Sequence, residues 1–177
     1  MLNIIEGDLI SLASQGAFDV ILHGCNCYDM DTGVAGAIIQ AYPSALLAHQ
    51  QSGPRGDTSR FGGYSHTVVK SETGAPLVIL NGYTQKMYGK LHQNFDYQNL
   101  RNVCEQVLNR LGGRQLRFGM PLIGVGRGKA EPNKVLDILN EMFANENVTI
   151  VVQIEQNRRN HPQLITLIKK IRQGTPL

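Results

Sequence analysis

Short apolar runs and longer helix-like stripes alternate along the chain. Leu2–Ile5 and Val20–His23 are continuous apolar runs, the pattern of buried strands. From Val34 to Gln51 the apolar positions Ala35, Ile38, Ile39, Tyr42 and Leu46 recur at three- and four-residue steps, which predicts helix. Pro43 lacks an N–H and predicts a second helical piece rather than one straight helix. Gly63–Val69 and Pro76–Tyr83 read as strands joined by the turn Glu72-Thr73-Gly74-Ala75. Asp96 is placed to cap a helix whose stripe is Leu100, Val103, Cys104, Val107 and Leu111, stopped at Gly112-Gly113. Leu116–Met120 is strand-like, and Val135, Ile138, Leu139, Met142 and Phe143 mark a helix with Pro132 in its first turn. Val148–Ile154 is β-branched and apolar, as an interior strand is. Strands alternating with helices predict a central sheet covered on both faces, a three-layer α/β/α domain.

Composition narrows this picture. The chain has 177 residues, enough for one domain with a real core, and 42% hydrophobic against 18% charged residues excludes disorder by composition. No window approaches the ~18 apolar residues of a membrane span, and the N-terminus lacks a signal-peptide pattern. Three cysteines, Cys25, Cys27 and Cys104, cannot all pair within one chain; a reducing, cytoplasmic setting is expected. The net charge of +3 is uneven. Arg158, Arg159, Lys169, Lys170 and Arg172 put +5 on residues 158–177, leaving 12 basic against 14 acidic side chains in residues 1–157. The body is therefore not a nucleic-acid surface, and only the tail could be one. Leu164, Ile165, Leu167, Ile168 and Ile171 fall between its charges at helical spacing, so a solvated basic helix is favoured over nucleic-acid contact.

Candidate chemistry gathers at the ends of the expected strands, where α/β proteins place ligands. His23-Gly24-Cys25-Asn26-Cys27 closes the second strand, and Asp29 and Asp31 follow it before Gly33 opens a helix. His23, Cys25 and Cys27 alternate, so they share one face. A histidine there suits general acid or nucleophilic work at neutral pH, or is a satisfied core residue. Asn26 could grip sugar hydroxyls, and Asp29 or Asp31 could activate water or cap the helix. A metal site lacks the ligand spacing it would need. Gly7-Asp8-Leu9 follows the first strand, where Asp8 is either a helix cap or an acceptor for a ligand amine. Gly124-Val125-Gly126-Arg127-Gly128 follows a late strand and fits neither nucleotide-loop fingerprint; its amides could still surround a phosphate. Arg55, Asp57 and Arg60 read as a solvated loop without a role.

In their order and spacing these segments resemble the macrodomain family, which binds ADP-ribose. The resemblance covers about Met1 to Glu155 and rests on Gly7-Asp8-Leu9, His23-Gly24-Cys25-Asn26-Cys27, Gly33-Val34-Ala35 and Pro121-Leu122-Ile123-Gly124-Val125-Gly126. It implies a macrodomain over residues 1–157 with a mixed central sheet, and an extra basic helix over 158–177. It further implies that Asp8 meets the adenine amine, Leu9 flanks the ring and Asn26 contacts the distal ribose. Gly24 and Cys25 would line the site. Gly33 and Val34 would flank the diphosphate on one side and Gly124, Val125, Gly126, Arg127 and Gly128 on the other, with no metal or other cofactor. The His23 segment is most similar to the ADP-ribose-1″-phosphate phosphatase branch found in yeast, bacteria and phages. That similarity implies phosphomonoester hydrolysis with His23, Asn26 and Asp31 as catalytic residues. A non-catalytic ADP-ribose reader and an ADP-ribosyl hydrolase acting on protein or nucleic acid are the alternatives. Gln85 stands where the lysine-dependent hydrolases of the superfamily carry their lysine. The expected partner is ADP-ribose or a phosphorylated derivative, without a membrane, bound by a monomer.

Overall fold

A computed structural model describes residues 2–87 and 94–153. The expected basic helix over 158–177 lies outside the described residues. Six strands form one sheet: β1 (Asn3–Glu6), β2 (Val20–Asn26), β3 (Tyr64–Lys70), β4 (Pro76–Gln85), β5 (Arg117–Met120) and β6 (Asn147–Val152). Their order is β1-β6-β5-β2-β4-β3, with every neighbouring pair parallel except β3–β4. The mixed sheet expected from the sequence is therefore present, with its antiparallel strand at one edge.

Among the described residues five α-helices cover it: α1 (Leu9–Ser14), α2 (Gly33–Ala41), α3 (Ser44–Gln51), α4 (Tyr97–Leu111) and α5 (Pro132–Met142). Side chains of β2 alternate between the two layers, as a period of two requires. Val20 and Leu22 pack with Leu100, Val103 and Val107 of α4 and Val135 and Leu139 of α5. Ile21 packs with Leu9 and Ala13 of α1, Ile38 of α2 and Ala45 of α3. Each buried valine, leucine or isoleucine among them contributes about 1.5–3 kcal/mol of transfer free energy. No helix among the described residues is long and apolar enough to cross a membrane.

Local chemistry explains the element ends. Tyr42 precedes Pro43 and is non-helical (φ −134°, ψ 79°), which ends α2 and lets α3 start afresh. Asp96 caps α4 by accepting the Asn99 amide at 2.8 Å. Asp8 caps α1 in the same way, accepting the Ser11 amide at 2.7 Å. With six residues α1 is too short to show a hydrophobic period, so the sequence showed its cap and not its body.

Candidate functional site

The parallel strands β1, β2, β4, β5 and β6 end at one edge of the sheet, and a cleft of about 320 Å³ opens there. Asp8 and Leu9 after β1 stand at the cleft, near Val151, Val152 and Gln153 at the end of β6. Gly24, Cys25 and Asn26 form part of its floor, and Gln85 of β4 lies beside them. The register slips by one residue between Cys25, which faces Tyr83, and Asn26, which faces Gln85. That irregularity aims Gln85 into the cleft. The walls are the start of α2, with Thr32, Gly33, Val34 and Ala35, and the loop from Pro121 to Arg127.

Both walls present backbone donors. Thr32 leads into α2 without a side-chain cap, so the first-turn amides are not satisfied within the helix. Across the cleft the loop closes on itself through Ala130 N–H to the Gly124 carbonyl at 3.0 Å. Gly124 has φ +77°, and a Cβ there would sit 2.1 Å from the Phe95 ring; Gly126 has open space on the same test. Gly124 thus packs inward, whereas Gly126 and Arg127 are exposed on the cleft side. A cradle of N–H groups with one guanidinium suits an anion.

The two ends of the cleft are polar. One Asp8 oxygen caps α1, and the other accepts the side-chain amide of Gln153. A carboxylate has further lone pairs for a ligand donor. Asn26 accepts the amides of Tyr28 (2.7 Å) and Asp29 (2.9 Å) through Oδ1. Its Nδ2 group is therefore the part able to donate to a ligand. Gly24 lets Ile123 and Thr84 pack close against the floor, since a Cβ there would meet Ile123 at 2.7 Å and Thr84 at 2.9 Å.

Three expected site residues are placed differently. His23 does share a face with Cys25, but its side chain is fully buried below the cleft, with Nε2 2.8 Å from Asn81 Oδ1. Burial holds its pKa down at about 4, and it cannot reach a ligand to donate or attack. Asn81 carries the bond onward, donating to the Ala45 carbonyl (2.9 Å) and to Ser65 Oγ (3.0 Å). His23 is thus a core residue in a polar network. Asp31 is exposed and does not line the cleft; Asp29 does. Gly128 is buried behind the loop, where a Cβ would meet Gln85 Nε2 and the Gly124 carbonyl at 2.6 Å, so it shapes the loop from behind. The other expected ligand-binding residues line the cleft. Cys25 is among them, but burial pushes its thiol far above the ordinary range and keeps it protonated.

Arg60 corrects the reading of its loop as solvated. Its guanidinium is buried, donates to the carbonyls of His49 (2.9 Å), Pro54 (3.1 Å) and Cys27, and lies 5.0 Å from the Tyr83 ring centre. Arg55, also without an expected role, grips Asp29 with Nε to Oδ1 at 3.0 Å and NH2 to Oδ2 at 2.8 Å. Val151, Val152 and Gln153 were missed as well. The signal for them was available, because every parallel strand must end at the same edge as β2.

No family model matches the chain. The 17.5 kDa protein of the tk-vs intergenic region of Enterobacteria phage T4 is 34% identical over 151 residues, covering 83% of this chain and 93% of the phage protein. The macrodomain of Mycobacterium tuberculosis DarG has a TM-score of 0.65 at 18% identity, covering 85% of this chain and 97% of its own. Thermosipho africanus DarTG in complex with ADP-ribose has a TM-score of 0.67 at 15% identity, covering 87% of this chain and 42% of its own. An Oceanobacillus iheyensis macrodomain has a TM-score of 0.59 at 19% identity, covering 96% and 93%. By these structural matches the six-stranded sheet and its two helical layers are of the macrodomain fold class. Within that class the chain belongs to the family of the phage T4 protein.

Proposed function

We propose that the protein binds ADP-ribose in this cleft, with the adenine at Asp8 and Leu9 and the distal ribose at Asn26. The observation that carries the reading is the pair of facing backbone walls, the start of α2 and the Gly124–Arg127 loop, between two polar ends. Amides preset by the fold stabilise a diphosphate without reorganising when it arrives. The ADP-ribose bound in the Thermosipho africanus structure supports the ligand class. In this orientation Asp8 accepts from the adenine amine, while Asn26 Nδ2 donates to a ribose hydroxyl. Asp8→Ala should raise the calorimetric Kd for ADP-ribose at least tenfold, about 1.4 kcal/mol. An unchanged Kd would place the adenine elsewhere.

A second reading, hydrolysis of ADP-ribose 1″-phosphate to ADP-ribose and phosphate, is favoured by the exposed guanidinium of Arg127 on the anion wall. Water would add to phosphorus, the bond from phosphorus to the ribose oxygen would break, and that oxygen would take up a proton. No histidine among the described residues lines the cleft, and the Cys25 thiol stays protonated, so the reading rests on water held by Asn26 and the loop amides. Phosphorus NMR of the protein with ADP-ribose 1″-phosphate tests it. Inorganic phosphate formed by the parent chain and lost in Asn26→Ala supports hydrolysis; bound but unchanged ligand leaves ADP-ribose binding alone.

A further inference from the structure

A carboxylate is out of place in a cleft built for an anion, and Asp29 contributes one. It lines the cleft beside Asn26, whose side chain holds the Asp29 amide. Repulsion from an ionised Asp29 would fall on the distal end of the ligand. The structure compensates from outside the cleft. Arg55 meets both Asp29 oxygens with a two-pronged contact and lies over the Tyr28 ring, 5.2 Å from its centre. The loop that carries Arg55 is fixed on both sides. Gly56 N–H donates to the Cys27 carbonyl at 2.9 Å, and Arg60 bonds the carbonyls of Pro54 and Cys27. The guanidinium is therefore delivered to Asp29 by a braced loop, not by a free surface side chain.

We propose that Arg55 is a specificity-determining residue that acts through Asp29. By cancelling the carboxylate charge it lets the Asn26 end of the cleft accept an anionic substituent on the distal ribose. The inference rests on the ADP-ribose reading and its orientation, and adds which derivatives the cleft tolerates. Among the described residues the other charged groups at the cleft do not duplicate this role: Asp8 lies at the opposite end, and Arg127 stands on the loop wall.

The size of the effect follows from Coulomb's law. An uncompensated carboxylate about 7 Å from a phosphate dianion, in a water-like dielectric, weakens binding by roughly fivefold to tenfold, and salt screens it. The pair is half-exposed, with side chains 59% and 37% accessible, so its loss should move Tm by no more than about 3 °C. The test is calorimetry at low salt on the full chain, Arg55→Gln, Asp29→Asn and the double variant. Each is titrated with ADP-ribose and with ADP-ribose 1″-phosphate, and phosphorus NMR follows any turnover in the same samples. Arg55→Gln should weaken the phosphorylated ligand about fivefold more than ADP-ribose, and the gap should shrink at 0.5 M salt. Adding Asp29→Asn should close the gap even though it restores no contact to Arg55. Equal losses for both ligands, or a gap that survives the double variant, would overturn the inference while leaving the ADP-ribose reading intact. A parent chain that binds neither ligand would remove both.

Discussion

His23 shows what a single residue in a strand reveals and withholds. Alternation along β2 puts His23 and Cys25 on one face, and Cys25 and Cys27 share one buried cluster, but the layer that this face meets depends on the crossovers, which no local pattern contains. The structure turns the face toward α3 and closes it with Asn81. The consequence is thermodynamic. Unfolded, His23 takes up a proton near its ordinary value of 6.5; folded, it resists down to about 4. Between those values the unfolded chain binds more protons, so stability must fall as pH falls. The full window is worth about 3 kcal/mol. His49, whose pKa burial also lowers, adds in the same direction. Urea denaturation from pH 7 down to pH 4.5 should show this loss, and His23→Gln should flatten it by about 2 kcal/mol. A variant with an undiminished acid limb would show that the histidine does not titrate as a buried core group. Arg60 escaped a local reading for a related reason. Its loop is polar in composition, yet the carbonyls of His49 in α3, Cys27 after β2 and Pro54 in the loop close over the guanidinium as donor, and that burial is a property of tertiary packing.

At the level of elements, the legible features were those set by neighbours in sequence. Pro43 divides α2 from α3, Asp96 starts α4 and Pro132 stands at the first turn of α5, all as expected. Strand ends were less legible: β2 continues to Asn26 and β4 to Gln85, because pairing across the sheet sustains them past their apolar runs. The slip that turns Gln85 into the cleft arises from that pairing and leaves no mark on composition. The loop after β5 was legible as glycine-rich but not in the division of labour among its glycines. Two substitutions separate the parts. Gly124→Ala forces a side chain into a left-handed backbone and against Phe95, and should cost about 2–4 kcal/mol of stability in denaturant melts. Gly126→Ala meets nothing within 4 Å, so its Tm should stay within about 2 °C while ADP-ribose affinity drops about tenfold as a methyl enters the anion wall. If both variants lose stability alike, the loop is a rigid packing unit and its amides are not arranged for a ligand.

On the scale of the molecule, the charges fall into two parts. Residues 1–157 carry 12 basic and 14 acidic side chains, and residues 158–177 carry five basic and no acidic ones. Every residue assigned to the cleft lies between Asp8 and Gln153, on elements whose packing the two helical layers and the sheet supply. The donors assigned to a small dianionic ligand are amides at contact distance, all contributed by residues 8–153. A polyanion that bears the same ligand would gain from the tail at any point along its backbone, and that gain would fall steeply with salt. Ending the chain after Asn157 should therefore change the calorimetric Kd for free ADP-ribose by no more than about twofold. The same change should remove most of any salt-dependent retention on single-stranded DNA, measured as filter binding from about 50 to 300 mM salt. The opposite pattern, affinity for ADP-ribose lost and DNA retention kept, would mean that the tail completes the cleft rather than extending the charge of the surface.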